Sequence, residues 1–243
     1  MGILTQDGTH FMKAVVIHSG GLDSSVCLKL AINEFGKENI ASISFDYNQR
    51  HRIELESAAK INLDWGVPHT VINIDYLSTM TTNALVTKGI EIQETKDVKI
   101  NEAPNVLVVG RNGLMVRIAS IYAHNLGANY VYTGILGLDN TSNFRDCSRE
   151  YMDKMQDILQ IDTENPNFEI RTPLVEMDKF ESMELAHKLG VLEYLLENTI
   201  SCYRGVPKAG CGTCPSCEFR NEALRKLVKL HPEINFSYKK DVL

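Results

Sequence analysis

The chain has no apolar run of the roughly 18 residues needed to cross a bilayer. It has no charged start and apolar core of a secretory signal, and no surplus of basic residues. Lys and Arg number 25 against 31 Asp and Glu, giving a formal charge of −6. That balance argues against a protein dominated by nucleic-acid backbone contacts. A cytoplasmic location is expected, with no membrane and no nucleic-acid partner. Two common phosphate-binding signatures are missing as well: no Lys-Ser/Thr closes a G-x-x-x-x-G frame, and there is no G-x-G-x-x-G. No internal repeat or low-complexity tract is visible. With 243 residues, 44% of them hydrophobic and 23% charged, the chain can still bury a sizeable core without disulfide staples.

What is present is concentrated near the start. Lys13-Ala-Val-Val-Ile-His18 is short, apolar and β-branched, as a buried strand should be. It stops at Ser19-Gly20-Gly21-Leu22-Asp23-Ser24-Ser25, after which a helical rhythm of apolar residues runs to Phe35. A Ser/Gly-rich turn between strand and helix aims backbone N–H groups and the positive end of a helix dipole at one spot, which suits a phosphate. Glycine lets the anion approach the backbone closely.

Strand and helix alternate onward. Strands are expected at 40–45, 69–74, 129–133 and 168–172. Helices are expected at 53–65, 113–126, 148–161, 178–189 and 216–230. Residues 78–104 are polar and irregular, and are expected to form a mobile excursion, an active-site flap. Strands separated by helices of 12–14 residues imply right-handed crossovers and a doubly wound, mainly parallel α/β sheet. Ligands bind such sheets at the carboxyl ends of the strands, where the Ser19–Ser25 turn, Tyr47–Arg52 and Gly134–Asn140 should lie. Residues 1–11 look like a leader or a remnant of cloning. Residues 12–190 are expected to form the nucleotide-binding domain, and 191–243 a helical region.

The six cysteines are unevenly spread. Cys27 and Cys147 stand alone, whereas Cys202, Cys211, Cys214 and Cys217 follow a C-x8-C-x2-C-x2-C pattern. Without a secretion signal, such clustering favours metal over disulfides. Four thiolates fill a tetrahedral shell, so structural Zn²⁺ is the natural assignment. An iron–sulfur cluster takes the same ligand set, and a redox-active C-x-x-C pair is a further alternative. A closed zinc site can contribute on the order of 10 kcal/mol to local folding.

The Ser-Gly-Gly-x-Asp-Ser turn resembles the signature of the PP-loop ATP pyrophosphatases. Together with the four cysteines it narrows the resemblance to the 7-cyano-7-deazaguanine synthase family of queuosine-precursor biosynthesis, over about residues 12–230. Asp46-Tyr47-Asn48-Gln49-Arg50-His51 is similar to that family's F-D-Y-G-Q-R-H, and Gly110-Arg111-Asn112 to its P-G-R-N. Asp146-Cys147 stands where the family has Y-P-D-C-R, while Thr172-Pro173-Leu174 and Ser201-Cys202-Tyr203 also match. The departures are Asn48 for glycine, Val109 for proline, and Gly137-Leu138-Asp139 without the usual glutamate. The Tyr-Pro before Asp146 and the arginine after Cys147 are missing too. They cluster where the deazapurine should sit.

The resemblance implies an adenine nucleotide alpha hydrolase-like fold with a C-terminal zinc subdomain, and a homodimer. It implies two ATP-dependent steps that convert 7-carboxy-7-deazaguanine and ammonia into 7-cyano-7-deazaguanine through an adenylated carboxylate and an amide, with Mg²⁺ on the nucleotide. Ile17, His18, Ser19, Gly20, Gly21, Leu22, Asp23, Ser24 and Ser25 would bind the nucleotide, with Asp23 orienting the diphosphate, through Mg²⁺ if the ion sits there. Gln49, Gly110, Arg111 and Asn112 would join them. Arg50 and Arg111 would contact phosphate or carboxylate, since guanidinium forks pair with both, and His51 would shuttle protons. Gly134, Asp139, Asp146 and Cys147 would meet the deazapurine. One alternative is a paralogue that stops at the amide or passes the activated deazapurine to another amine, of a protein or nucleic acid. Another is a PP-loop tRNA thiolase, which the acidic balance and the committed cysteines disfavour.

Overall fold

The computed structural model describes residues 11–99, 102–137 and 144–243. Its five strands are β1 (Ala14–Ile17), β2 (Ile40–Asp46), β3 (His69–Asn73), β4 (Tyr130–Thr133) and β5 (Glu169–Arg171). They form one parallel sheet in the order β3-β2-β1-β4-β5. β1 sits at the centre, with Val15 aligned to Ala41 on one side and Val131 on the other. A strand buried on both faces needs no polar alternation, which is why Ala14, Val15 and Val16 are all fully buried.

The two-residue period of a strand sends its side chains to opposite faces. Ala14 and Val16 enter one apolar layer, shared with α1 (Leu22–Phe35) and with Ile61 of α2 (Ile53–Trp65). Val15 enters the other, against Val116, Ala119 and Ala123 of α4 (Arg111–Asn125) and Met152 and Leu159 of α5 (Arg149–Asp162). The sheet is thus wound on both faces, as the alternating pattern predicts. Among the described residues, no helix is long and apolar enough to cross a membrane.

The first layer continues into the C-terminal third. α6 (Lys179–Lys188), α7 (Leu192–Asn198), α8 (Pro215–Leu230) and α9 (Lys239–Val242) supply Met183, Leu195, Leu196, Leu224, Leu227 and Val242 to it. α8 opens with Pro215 in its first turn, where a missing N–H costs nothing. The Tyr238 hydroxyl donates to the Leu196 carbonyl at 3.0 Å and closes the tail onto α7. Short α3 (Leu77–Met80), α7 and α9 are not anticipated by periodicity, because four to seven residues give too few turns for a 3.6-residue repeat to show.

Residues 78–104 meet expectation in one respect, since Thr95, Val98, Lys99 and Pro104 line the cavity beyond β1. Their described part contains little regular structure, yet it is pinned. Ala84, Leu85 and Ile92 share a buried cluster with Cys202, Cys214 and Cys217. Arg204 donates to the Ile92 carbonyl, and the Thr95 amide to the Thr213 carbonyl. The irregular stretch is a wall packed on the cysteine segment, and its polar residues satisfy backbone groups that no ladder reaches.

Leu224 is fully buried where α8 meets the first layer. Leu224→Ala is expected to cost about 2–5 kcal/mol, read as a lowered urea midpoint with an unchanged slope.

Candidate active site and metal centre

β1 ends in the middle of the sheet, and the turn that follows is built from its own hydroxyls. Ser24 Oγ donates to the Gly21 carbonyl (3.0 Å) and accepts from the Ser19 amide (3.1 Å). Ser25 Oγ donates to the same carbonyl at 2.8 Å. The first-turn amides of α1 (Leu22, Asp23 and Ser24) have no carbonyl one turn back to bond. Two glycines allow the close packing. Gly20 has φ +85°, and a Cβ there would lie 2.0 Å from the Glu54 carbonyl oxygen of α2. A Cβ on Gly134, just after β4, would lie 2.8 Å from the Ser24 amide nitrogen.

This turn opens into a cavity of about 450 Å³, within the size range of small-molecule sites. Ile17, His18, Ser19, Gly21, Leu22, Asp23 and Ser24 line it, together with His51, Arg111, Asn112, Gly134 and Cys147. Apolar and aromatic walls come from Phe45, Met115, Ile135, Phe144, Tyr203 and Phe219.

Other candidate residues serve the frame around the cavity. Gly20 is used for packing on α2. Ser25 Oγ bridges the Gly21 carbonyl and His18 Nε2. Gln49 is buried, accepting from the Tyr47 amide and donating to the Phe45 carbonyl and to Glu54. Arg50 points to the wall and donates to the Thr87 carbonyl at 3.1 Å, so it is not placed on a phosphate. Gly110, in the left-handed region at φ 70°, precedes α4. Asp146 accepts from the Asn112 amide at 3.0 Å, capping the first turn of α4. Asp139 lies outside the described residues.

Asp23 is held by α6. Its Oδ2 pairs with Lys179 Nζ at 2.5 Å, and its Oδ1 accepts from Ser182 Oγ at 2.8 Å. A carboxylate oxygen carries a second lone pair, so this pairing leaves acceptor capacity on the cavity side.

A second charged group lines the same cavity. Glu54 is buried, and burial raises its pKa against the opposing pull of His51, Gln49 and Arg111. His51 Nε2 stands 3.4 Å from Glu54 Oε1, while its Nδ1 is buried without a hydrogen-bond partner among the described residues. Burial works against the Arg111 charge, yet Tyr47, Tyr203, Asp146 and Glu54 hold its pKa above the usual range. Arg111 Nη1 donates to the Tyr47 hydroxyl at 3.1 Å, and burial pushes that phenol up to about 12.

His18 is a packed group, as its strand position suggests. It is fully buried between Asn62 Nδ2 (2.8 Å) and Ser25 Oγ (2.9 Å). Burial, then the nearby His69, pushes its pKa down to about 3.

The four cysteines come together. Cys202, Cys214 and Cys217 are buried, Cys211 is half-buried, none is in a disulfide, and all four sulfurs lie within 4.8 Å of one another. Arg204 donates to Cys211 Sγ at 3.0 Å. Gly210 has room for no side chain, since a Cβ would sit 2.4 Å from Cys217 Sγ. Sulfur-only donors converging in a dry pocket fit a tetrahedral Zn²⁺.

A family model described as "Queuosine biosynthesis protein QueC" matches residues 13–228. The chain belongs to the QueC family. Membership carries an ATP-dependent role in deazapurine modification. Among solved structures, the chain is similar to the NMN synthetase from Francisella tularensis, at 16% identity and TM-score 0.48, over 94% of this chain and 80% of that one. It is also similar to the NH3-dependent NAD synthetase from Campylobacter jejuni, at 15% identity and TM-score 0.45, over 78% and 69%. Both likenesses are distant.

In this QueC-family chain, sequence reasoning overlooks Lys179, Ser182 and Glu54. Lys179 carries a signal in hindsight: it directly follows the capping-box residue Asp178. A cation in the first turn opposes the helix dipole, so a lysine there calls for an acid from elsewhere. Glu54 hides as an ordinary first-turn glutamate of α2.

Two outcomes follow from these environments. As pH falls from about 6.5 towards 3, the unfolded chain binds a proton on His18 and the native state does not. Stability should then decline by up to about 1.4 kcal/mol per pH unit, and His18→Gln should flatten that slope in acid-denaturation curves. Purified protein should carry one Zn²⁺ per chain by elemental analysis and release it on acidification, as thiolates take up protons. Cys214→Ala should abolish that content.

Proposed function

We propose that this protein uses ATP to convert 7-carboxy-7-deazaguanine and ammonia into 7-cyano-7-deazaguanine. The observation that carries the reading is one cavity lined by a phosphate-type turn, by Lys179 and by the His51–Glu54–Arg111 cluster. Family membership supplies the substrate class.

A carboxylate is a poor electrophile, because its leaving group would be oxide. Attack of its oxygen on the α-phosphorus of ATP gives an acyl adenylate and diphosphate. The α1 amides and Lys179 stabilise the departing diphosphate charge, with Lys179 exchanging its bond to Asp23 for one to phosphate. Ammonia displaces AMP to form the amide, and its extra proton passes to the His51–Glu54 pair. A second ATP activates the amide oxygen. Loss of AMP and two protons then leaves the nitrile, so each cycle consumes two ATP. Arg111 would bind the substrate carboxylate, and the aromatic walls would hold the two planar ring systems. Cys202, Cys211, Cys214 and Cys217 would hold Zn²⁺ with four sulfurs and leave it a role in the fold rather than in the reaction.

Incubation with the carboxylate, ATP, Mg²⁺ and ammonia should give AMP and the nitrile by mass spectrometry. Absence of AMP release with that acid contradicts the proposal, and accumulation of amide alone would redirect it to an enzyme that stops halfway. The two groups separate by variant. Lys179→Met should lower carboxylate-dependent diphosphate–ATP exchange by about 10²–10³-fold. His51→Asn should leave that exchange within a few-fold and lower amide formation by about 10²–10⁴-fold.

A further inference from the structure

Away from the cavity and the cysteine ring, three metal-ligating side chains meet at the surface. His187 lies in the last turn of α6, His231 directly follows α8, and Glu233 is two residues further on. Glu233 Oε1 stands 3.7 Å from His187 Nε2 and 3.4 Å from His231 Nδ1. One donor atom from each residue falls within 4.8 Å of the others, and the two imidazole centroids are 4.5 Å apart. We propose that His187, His231 and Glu233 form a second metal site for a borderline divalent transition ion such as Zn²⁺ or Ni²⁺. That ion would tie the end of α6 to the segment after α8.

The spacing fits such an ion. Donors at the usual ~2.0–2.2 Å from a tetrahedral zinc stand about 3.4 Å from one another, close to the two distances to Glu233. Two imidazoles and a carboxylate select zinc, nickel, cobalt or copper over magnesium and calcium, which prefer all-oxygen shells. The setting also favours a cation independently of the side chains. His187 and His231 mark the C-terminal ends of two packed helices, where carbonyl dipoles converge. The rings are about a third exposed, so an ion can enter from solvent. Glu184, within electrostatic reach of both rings, is paired with Lys188 at 2.8 Å, so water completes the shell.

The test uses full-length protein with the cysteine ring already filled with zinc. Calorimetric titration with Ni²⁺ alone should show one additional equivalent bound per chain. Losing even an outer partner of a metal ligand costs about 10–100-fold in affinity, so His187→Ala and His231→Ala should each weaken binding by at least that factor. The double variant should abolish it. Ni²⁺ should raise the melting temperature of the parent protein and leave that of the double variant unchanged. Retention of one zinc per chain in every variant would show that the fold and the cysteine ring are intact. No extra equivalent in the parent protein, or equal Ni²⁺ binding by parent and double variant, would overturn the proposal.

Discussion

Everything at the candidate site depends on how closely backbone approaches backbone at the end of β1. The turn can expose α1 amides to a ligand only because α2 and β4 press against it without intervening side chains. Gly20 would place a Cβ 2.0 Å from the Glu54 carbonyl, and Gly134 one 2.8 Å from the Ser24 nitrogen. Such contacts fix the turn from two sides, so its hydroxyls are spent on its own backbone rather than on a ligand. A pre-organised set of N–H groups does not have to reorganise when charge develops beside it.

Charge around the cavity is arranged in compensated pairs. Asp23 is neutralised by Lys179, and Glu54 is balanced by His51 and Arg111. A buried ion pair adds little stability by itself, so these pairs make more sense as groups held ready for exchange. Lys179 can leave Asp23 for a phosphate while Ser182 still holds the aspartate. The helix bearing Lys179 and Ser182 is itself fastened by the apolar layer that joins α6, α7 and α8 to the sheet. The cysteine ring in turn backs the wall formed by Leu85, Ile92 and Val106.

Much of the architecture is legible in the chain. The apolar run of β1, the apolar spacing of α2 and the C-x8-C-x2-C-x2-C pattern each carry their own periodicity or geometry, and the structure agrees at all three. What stays hidden depends on long-range contact. Arg50 and Gln49 look like ligand-binding residues beside His51, yet one reaches a backbone carbonyl at Thr87 and the other locks its own loop. Lys179 reaches Asp23 across 156 positions, and no local pattern reports such a pairing. The stretch at 78–104 has a polar composition that local reasoning equates with freedom. Its few apolar residues are nonetheless placed to cover the cysteines.

The most direct test of the central claim is a crystal structure of the zinc-loaded protein with an ATP analogue that cannot be cleaved between the α- and β-phosphates. The β- and γ-phosphate oxygens should lie within hydrogen-bond distance of the Leu22, Asp23 and Ser24 amides, with Lys179 turned from Asp23 towards them. A nucleotide seated elsewhere, or an empty turn at saturating analogue, would contradict the account.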